Sequence, residues 1–376
     1  MGSGHFVIRA RRGRREFLLA VGLILLLILA SVLLLFRPRS LEFGSYIRPR
    51  CSKPPPQQVT VQVGDRGSDY DPRSLDPHYT DAPAWASAGV RGGIPPRDEG
   101  QIRCTLKPGD DIQTAIDAAA KAGGGVVLLS EGQYDVTKGI HMRERVILRG
   151  AGPDKTILRN LLRSEFAGDN IGIRFNKVFR GALEDLTILH PAVQALDPKL
   201  YESYENHYNR IKGLRVGHLE MRFCDDCWVD NCRFLYSGTD PIYIDYCRRI
   251  TMRGNVVRDC FSKGAGGEGR YITMQSEYVL FCNESVMGIR HFCLQNKSTF
   301  CVLFNCYFEV DVNFHYDTGG YNLVEGCLFQ LPSRHLWRPM SHGKPEWMPP
   351  GPGNLVYRVV ARKEGPEGLA DTSICK

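Results

Sequence analysis

Between residues 216 and 317 the chain repeatedly sets ionisable side chains at alternate positions around apolar ones. Successive strand residues face opposite ways, so the apolar set of each segment assigns the other set to one outer face. Leu219, Met221 and Phe223 point inward in the first segment. Ile242 and Ile244, Ile272 and Met274, Phe292 and Leu294, then Phe314 and Tyr316 do so in the next four. Outside stand His218, Glu220 and Arg222; Tyr243 and Asp245; Tyr271, Thr273 and Gln275; His291, Cys293 and Gln295; and Asn313, His315 and Asp317. Arg270 and Arg290 open two neighbouring segments, and a Gly-rich insertion, 262–270, brings Lys263 and Glu268 beside them.

That set suits removal of a proton next to a carboxylate, which needs a base and a cation or amide to neutralise the acid. His315, Arg290, His291, Tyr271 and Lys263 are the candidate catalytic residues. Arg270, Asp245, Tyr243, Gln295, Asn313 and Asp317 are the candidate substrate contacts. Phe292 and Phe314 both point inward and set the register, which puts His291 beside Asn313 and Cys293 beside His315. Hydrolysis would instead need two carboxylates about 5 to 9.5 Å apart, for which Asp240, Asp245 and Asp317 are available. Ca2+ often assists proton abstraction of this kind, but no clean cluster of aspartates marks a site for it, and no metal ligand or cofactor is assigned.

The elements that must position these residues show as a repeat. Short apolar strands ending in Asn, Cys or Gly recur, and Cys232, Asn255, Asn283, Cys306 and Cys327 fall into one slot at steps of 23, 28, 23 and 21 residues. A step of about 22 residues is one turn of a solenoid. Equivalent positions on successive turns stack at about the 4.8 Å strand spacing, so the slot cysteines read as buried ladder residues. Upstream, Asp110 or Asp111 can cap a helix with Ile112, Ala115, Ile116 and Ala119 on one face, stopped by Gly123, Gly124 and Gly125. Strands follow at Val126–Leu129 and Val146–Leu148.

This capping helix, Gly-Gly-Gly-Val-Val strand, Gly132-Gln133-Tyr134 step and Leu148-Arg149-Gly150-Ala151-Gly152 turn resemble the opening of the pectate-lyase-like right-handed parallel β-helix superfamily. The resemblance implies an all-β solenoid of about ten coils and a polysaccharide bound across the outer strands. An acidic polysaccharide and lyase or C5-epimerase chemistry are then the leading expectation. A glycoside hydrolase on the same fold, or a non-catalytic glycan-binding solenoid using Tyr243, Trp337 and Trp347, are the alternatives. Polygalacturonase motifs are not reproduced: Arg210-Ile211-Lys212, Gly217-His218-Leu219 and Gly238-Thr239-Asp240 occur in reversed order with an incomplete His motif.

The 376 residues carry 48 Lys and Arg against 41 Asp and Glu. Much of that excess is Arg9, Arg11, Arg12, Arg14 and Arg15, so no nucleic-acid footprint is indicated. Phe17–Phe36 is an uncharged run of 20 residues, long enough to span a bilayer as a helix. The expected organisation is a cytosolic basic tail (1–16), a transmembrane signal anchor (17–36), a Pro/Gly-rich stalk or wrapping segment (37–100), an exoplasmic β-helix (101–362) and a C-terminal tail (363–376). Sequons at Asn283 and Asn296 would then be open to glycans. The 13 cysteines lack zinc spacing.

Overall fold

Three times per coil the chain enters a strand and turns. The computed structural model describes residues 47–49, 81–165, 170–205, 207, 211–264, 268–315, 319–342, 351–365 and 368–371. Strands three elements apart pair in parallel and give, among the described residues, sheets of eleven, ten and eight strands, here sheets A, B and C; the last strand of sheet B, Gly368–Asp371, joins antiparallel. Parallel crossovers are right-handed in about 98% of cases, and the chain is a right-handed parallel β-helix. Phe17–Phe36 lies outside the described residues; among those described no helix is long and apolar enough to cross a membrane.

One core of stacked rungs fills the solenoid, with Phe281, Phe292, Phe308, Phe314 and Phe329 fully buried. Its first coil is closed by the helix Ile112–Lys121, capped by Asp111, whose carboxylate accepts from the Thr114 amide at 3.1 Å. Ile112, Ile116 and Ala119 bury its inner face. Corners between sheets A and B turn on a left-handed residue: Asn231, Gly254, Asn283, Asn305 and Gly326 have φ of 53 to 63°. Asn and Gly are the types that adopt this conformation at least cost.

That corner corrects the slot assignment. Arg253 pairs with Cys282 and Cys282 with Phe304, so Glu284 rather than Asn283 stacks between Asn255 and Cys306. Asn283 sits at the turn, buried, its side-chain oxygen accepting from Asn305 at 2.7 Å. Glu284 is a fully buried carboxyl in the core, contacted by the Asn255 amides and the Tyr271 hydroxyl. Burial pushes its pKa up to about 8.

Part of the segment before residue 100 wraps the solenoid. From Ala82–Trp85 to Gly100 it runs back along the outer face of sheet A, from the last coils to the first. The Trp85 indole donates to Tyr321 O at 2.8 Å, Gly89 N–H to Tyr278 O at 2.8 Å and Val90 N–H to the Thr251 hydroxyl at 2.9 Å. Further on, Arg97 binds Glu184, Asp185 and Asp230 together.

Sheet C carries the predicted face, with four corrections. In Arg270–Met274 the register pairs Tyr271 with Ile242 and Phe292, and Ile272 with Tyr243 and Cys293. Tyr271 and Thr273 therefore point into the core, while Ile272 and Met274 point out. Both phases of this strand offer apolar residues, so alternation alone was ambiguous. Secondly, Val312–His315 pairs Cys293 with Asn313 and Gln295 with His315. The step between these strands is two residues shorter than Phe292 and Phe314 suggested, because Val312 is the partner of Phe292. Thirdly, Phe223 and Gln275 are left-handed corner residues, and Phe223 is exposed and stacked on Tyr246. His218, expected outside, is fully buried and contacts Leu235 O at 2.8 Å. Asp317 and Tyr316 lie outside the described residues.

Candidate active site

The corrected register places Asp311 beside His291. Asp311 is fully buried and its two oxygens lie 2.8 and 3.0 Å from His291 Nδ1. His335 Nε2 stands 3.0 Å from Oδ1, and Ser341 donates to Oδ2. Burial opposes the charge on Asp311, but the imidazoles of His291 and His335 hold its pKa below the usual carboxylate range. A carboxylate on Nδ1 fixes the His291 tautomer and leaves Nε2 as an acceptor. That atom receives the Arg290 Nε–H at 3.1 Å. Burial lowers the His291 pKa, against the pull of Asp311.

His291 therefore positions Arg290 and is not itself free to take a proton. Arg290 is held further by Gly264 O, which accepts from Nη1, and by Trp337, whose ring centre lies 5.3 Å from the guanidinium carbon. Trp337 also packs edge-on against His291, with ring centres 4.2 Å apart. The inserted segment at Tyr204 reaches the same cluster, its hydroxyl 2.7 Å from His335 Nδ1.

One strand back, Arg270 donates its backbone N–H to Asp240 at 2.7 Å and keeps its guanidinium 3.6 Å from the same carboxylate. Burial raises the Asp240 pKa, Arg270 opposes this and Glu268 adds to it. Glu268 is itself paired with Arg215. His315 stands two columns along the face, half-buried, and feels this charge: burial, then Arg270, His291 and Arg290, lower its pKa to about 4. It is a neutral imidazole at ordinary pH. Between these groups lie buried polar atoms without a recorded protein partner among the described residues: Arg270 Nε, Asp245 Oδ1, Gln295 Oε1 and Asn313 Oδ1. Buried polar atoms are normally satisfied, so these are places for ligand groups or water.

Arg270, Arg290, His291, Gln295, Asn313 and His315 are thus brought together, with Tyr243 and Asp245 at one end. Tyr243 donates its hydroxyl to Met274 Sδ at 2.9 Å and carries Arg222 over its ring. Two predicted residues are elsewhere. Tyr271 is in the core. Lys263 is buried behind the face, donating to Tyr201 O and Gly288 O and lying 5.1 Å from the Tyr204 ring centre; burial lowers its pKa to about 8. Asp311, His335, Tyr204 and Ser341 were missed. A step of 20 rather than 22 residues between Phe292 and Val312 would have pointed to Asp311. Among the described residues no group of three or more His, Cys, Asp or Glu side chains is arranged to hold a metal.

No family model and no curated protein matches the sequence. Solved structures similar to it include a surface adhesin of Streptococcus pneumoniae (15% identity, 59% of this chain and 58% of that one, TM-score 0.42). Another is a pectin methylesterase from Erwinia chrysanthemi (11%, 64% and 81%, TM-score 0.41). A third is the A-module of a mannuronan C-5 epimerase from Azotobacter vinelandii (16%, 68% and 76%, TM-score 0.31). They share a parallel β-helix and differ in what they do.

Proposed function

We propose that the outer face of sheet C binds an acidic polysaccharide and removes the proton next to a sugar carboxylate, as a lyase or C5-epimerase does. The observation that supports this is a neutral imidazole, His315, in the field of two arginines, Arg270 and Arg290. The guanidiniums neutralise the substrate carboxylate and hold the negative charge that forms when its neighbouring C–H bond breaks. His315 accepts that proton. The bound carboxylate cancels the positive field that lowers His315, raising its basicity when substrate arrives. Expulsion of the adjacent glycosidic oxygen, which takes up a proton from solvent, then gives an unsaturated end; protonation of the same carbon from its opposite face gives the epimer. Gln295 and Asn313 supply amide groups to sugar hydroxyls.

Asp240 favours a second reading, a glycoside hydrolase, since a carboxyl with a raised pKa is a general acid. Asp240 precedes the strand Ile242–Asp245 and Asp245 ends it, so the two stand at opposite ends of that strand, whereas hydrolytic pairs lie within about 9.5 Å. Glu268, the carboxylate that acts on Asp240 from nearby, is already held by Arg215.

Incubating the protein with polygalacturonate and alginate, and reading ultraviolet absorbance together with proton NMR, separates the outcomes. Unsaturated ends or inverted residues support proton abstraction; new reducing ends without unsaturation identify the hydrolase. For the first reading, kcat/KM should fall on the acid side near pH 4, where His315 of the free protein takes a proton, and not near the ordinary imidazole value of about 6.5. We also propose that Phe17–Phe36 anchors the chain with residues 37–376 outside the cytosol. Deleting residues 1–39 should release a soluble, folded protein; recovery of the expressed chain in the soluble fraction with its N-terminus near residue 37 would show cleavage instead.

A further inference from the structure

The strap on sheet A leaves one open space. Pro95 and Pro96 stand off the first coils and enclose, with Arg145, Ile147, Phe179, Arg180 and the edge of Trp228, a pocket of about 490 Å³. That lies within the roughly 300 to 1,000 Å³ of small-molecule sites. One side is apolar: Ile147 and Phe179 are half-buried, and Trp228 is buried with its indole N–H fixed on Glu184 at 2.7 Å. Two arginines line the pocket as well. Arg145 and Arg180 occupy the same left-handed corner on adjacent coils, with φ of 60 and 53°, and Arg145 N–H donates to Phe179 O between them. Their backbones are therefore about one strand spacing apart, about 4.8 Å.

The surrounding charge makes that pair unusual. Glu184 already receives Arg97, Arg149 and Trp228; Asp185 receives Arg97; Asp230 receives Arg97 and Arg253; Asp226 receives Arg91. Beside Arg145 lies Glu144 at 3.9 Å, both side chains mostly exposed, a contact worth little. Glu99, also lining the pocket, is exposed. Two like charges on neighbouring rungs repel unless an anion lies between them.

We infer that this pocket is a second ligand site, separate from sheet C, for a small ring compound with an apolar face and one anionic group: a sugar acid seated on Phe179 and Ile147 with its carboxylate between Arg145 and Arg180. Two planar guanidiniums match a carboxylate through paired N–H donors, and the apolar floor takes the C–H face of the ring.

The experiment uses the full-length chain in detergent, with galacturonate, galactose and inorganic sulfate as probes, followed by calorimetry and Trp228 fluorescence. Galacturonate should bind at a site that Arg290→Ala leaves intact, and should change the fluorescence in the parent but not in Trp228→Phe. Arg145→Ala/Arg180→Ala should weaken it at least tenfold with an unchanged melting temperature, both residues being exposed. Galactose should bind at least tenfold more weakly. Equal binding by the double variant, or no saturable binding at millimolar galacturonate, overturns the site. Sulfate binding as tightly as galacturonate overturns the apolar half. Should Arg145→Ala/Arg180→Ala fail to fold, Phe179→Ala provides the same readout from the floor, and undiminished binding there counts against the site. Loss of activity in Arg290→Ala tests sheet C alone, so the two readings fail separately.

Discussion

Sheets A and C are walls of one solenoid, built on the same rungs, yet their outer faces treat charge in opposite ways. On sheet A the carboxylates Glu184 and Asp230 are 1% exposed and closed by arginines from the strap and from neighbouring strands. Both of these carboxylates have an opposite charge and a hydrogen bond. On sheet C, burial and then the charge of Arg270 lower the pKa values of both Arg290 and His315. Among the described residues, buried amide and carboxylate oxygens beside them have no protein hydrogen-bond partner. A face that satisfies itself is structural; one that leaves like charges together is set up for something absent from the chain. Functional sites commonly concentrate perturbed groups in this way.

Removing the strap's arginine should have the largest effect. Arg97→Ala leaves Glu184, Asp185 and Asp230 short of a partner in or near the interior, and breaking a buried pair from one side costs roughly 3 to 5 kcal/mol. Chemical denaturation should show a clear loss of stability; a change under about 1 kcal/mol would mean that Arg149 and Arg253 suffice, and the contrast between the faces would weaken.

Glu284, which belongs to neither face, calibrates the cost of an unpaired buried charge. Its folded pKa of about 8 lies above the ordinary value of 4.5. Between those values the folded protein keeps a proton that the unfolded chain releases. The stabilisation from the neutral form is thus complete below about pH 4.5 and is lost as pH rises through about 8. Glu284→Gln should flatten that decline, leaving the variant a few kcal/mol less pH-sensitive than the parent. Parallel curves of melting temperature against pH would show that Glu284 is ionised in the fold.

The smallest effect on stability is expected on sheet C. Arg290→Ala removes a charge that Arg270 opposes, so stability should change by no more than about 1 kcal/mol, while kcat/KM on an acidic polymer falls by about 100-fold or more. His291→Phe, which takes away the acceptor on Arg290 Nε, should raise KM more than it lowers kcat, because the guanidinium loses its aim but keeps its charge. A large loss of stability in Arg290→Ala would make sheet C as structural as sheet A.

The solenoid was legible because its period and its opening segment are properties of short stretches. The capping helix, the strand at Val126 and the Cys232, Asn255, Cys306 and Cys327 ladder needed only local spacing. Arg270, Arg290, His291, Gln295, Asn313 and His315 were found on one outer face for the same reason. The site's internal order was harder to read. Asp311 ends a corner and has no apolar neighbour on its N-terminal side except Val310, so nothing local marked it as the partner of His291. His335 and Tyr204 arrive from segments 24 residues after and 107 residues before Asp311, distances that no strand alternation reports.

The sequence determined by itself that the chain coils, roughly how often, and which residues can stack inside, since burying one apolar row per strand is a local demand repeated along the chain. Tertiary structure decided which way Arg270–Met274 faces. Tyr271 and Thr273 fit a core about as well as Ile272 and Met274, so hydrogen-bonding to Ile242–Asp245 and His291–Gln295 selected one. It also decided that Asn283 turns while Glu284 is buried, and that residues 82–100 clasp sheet A. Each of these is a contact between coils, and register between coils is fixed by the summed pairing of whole strands rather than by the preference of any one residue.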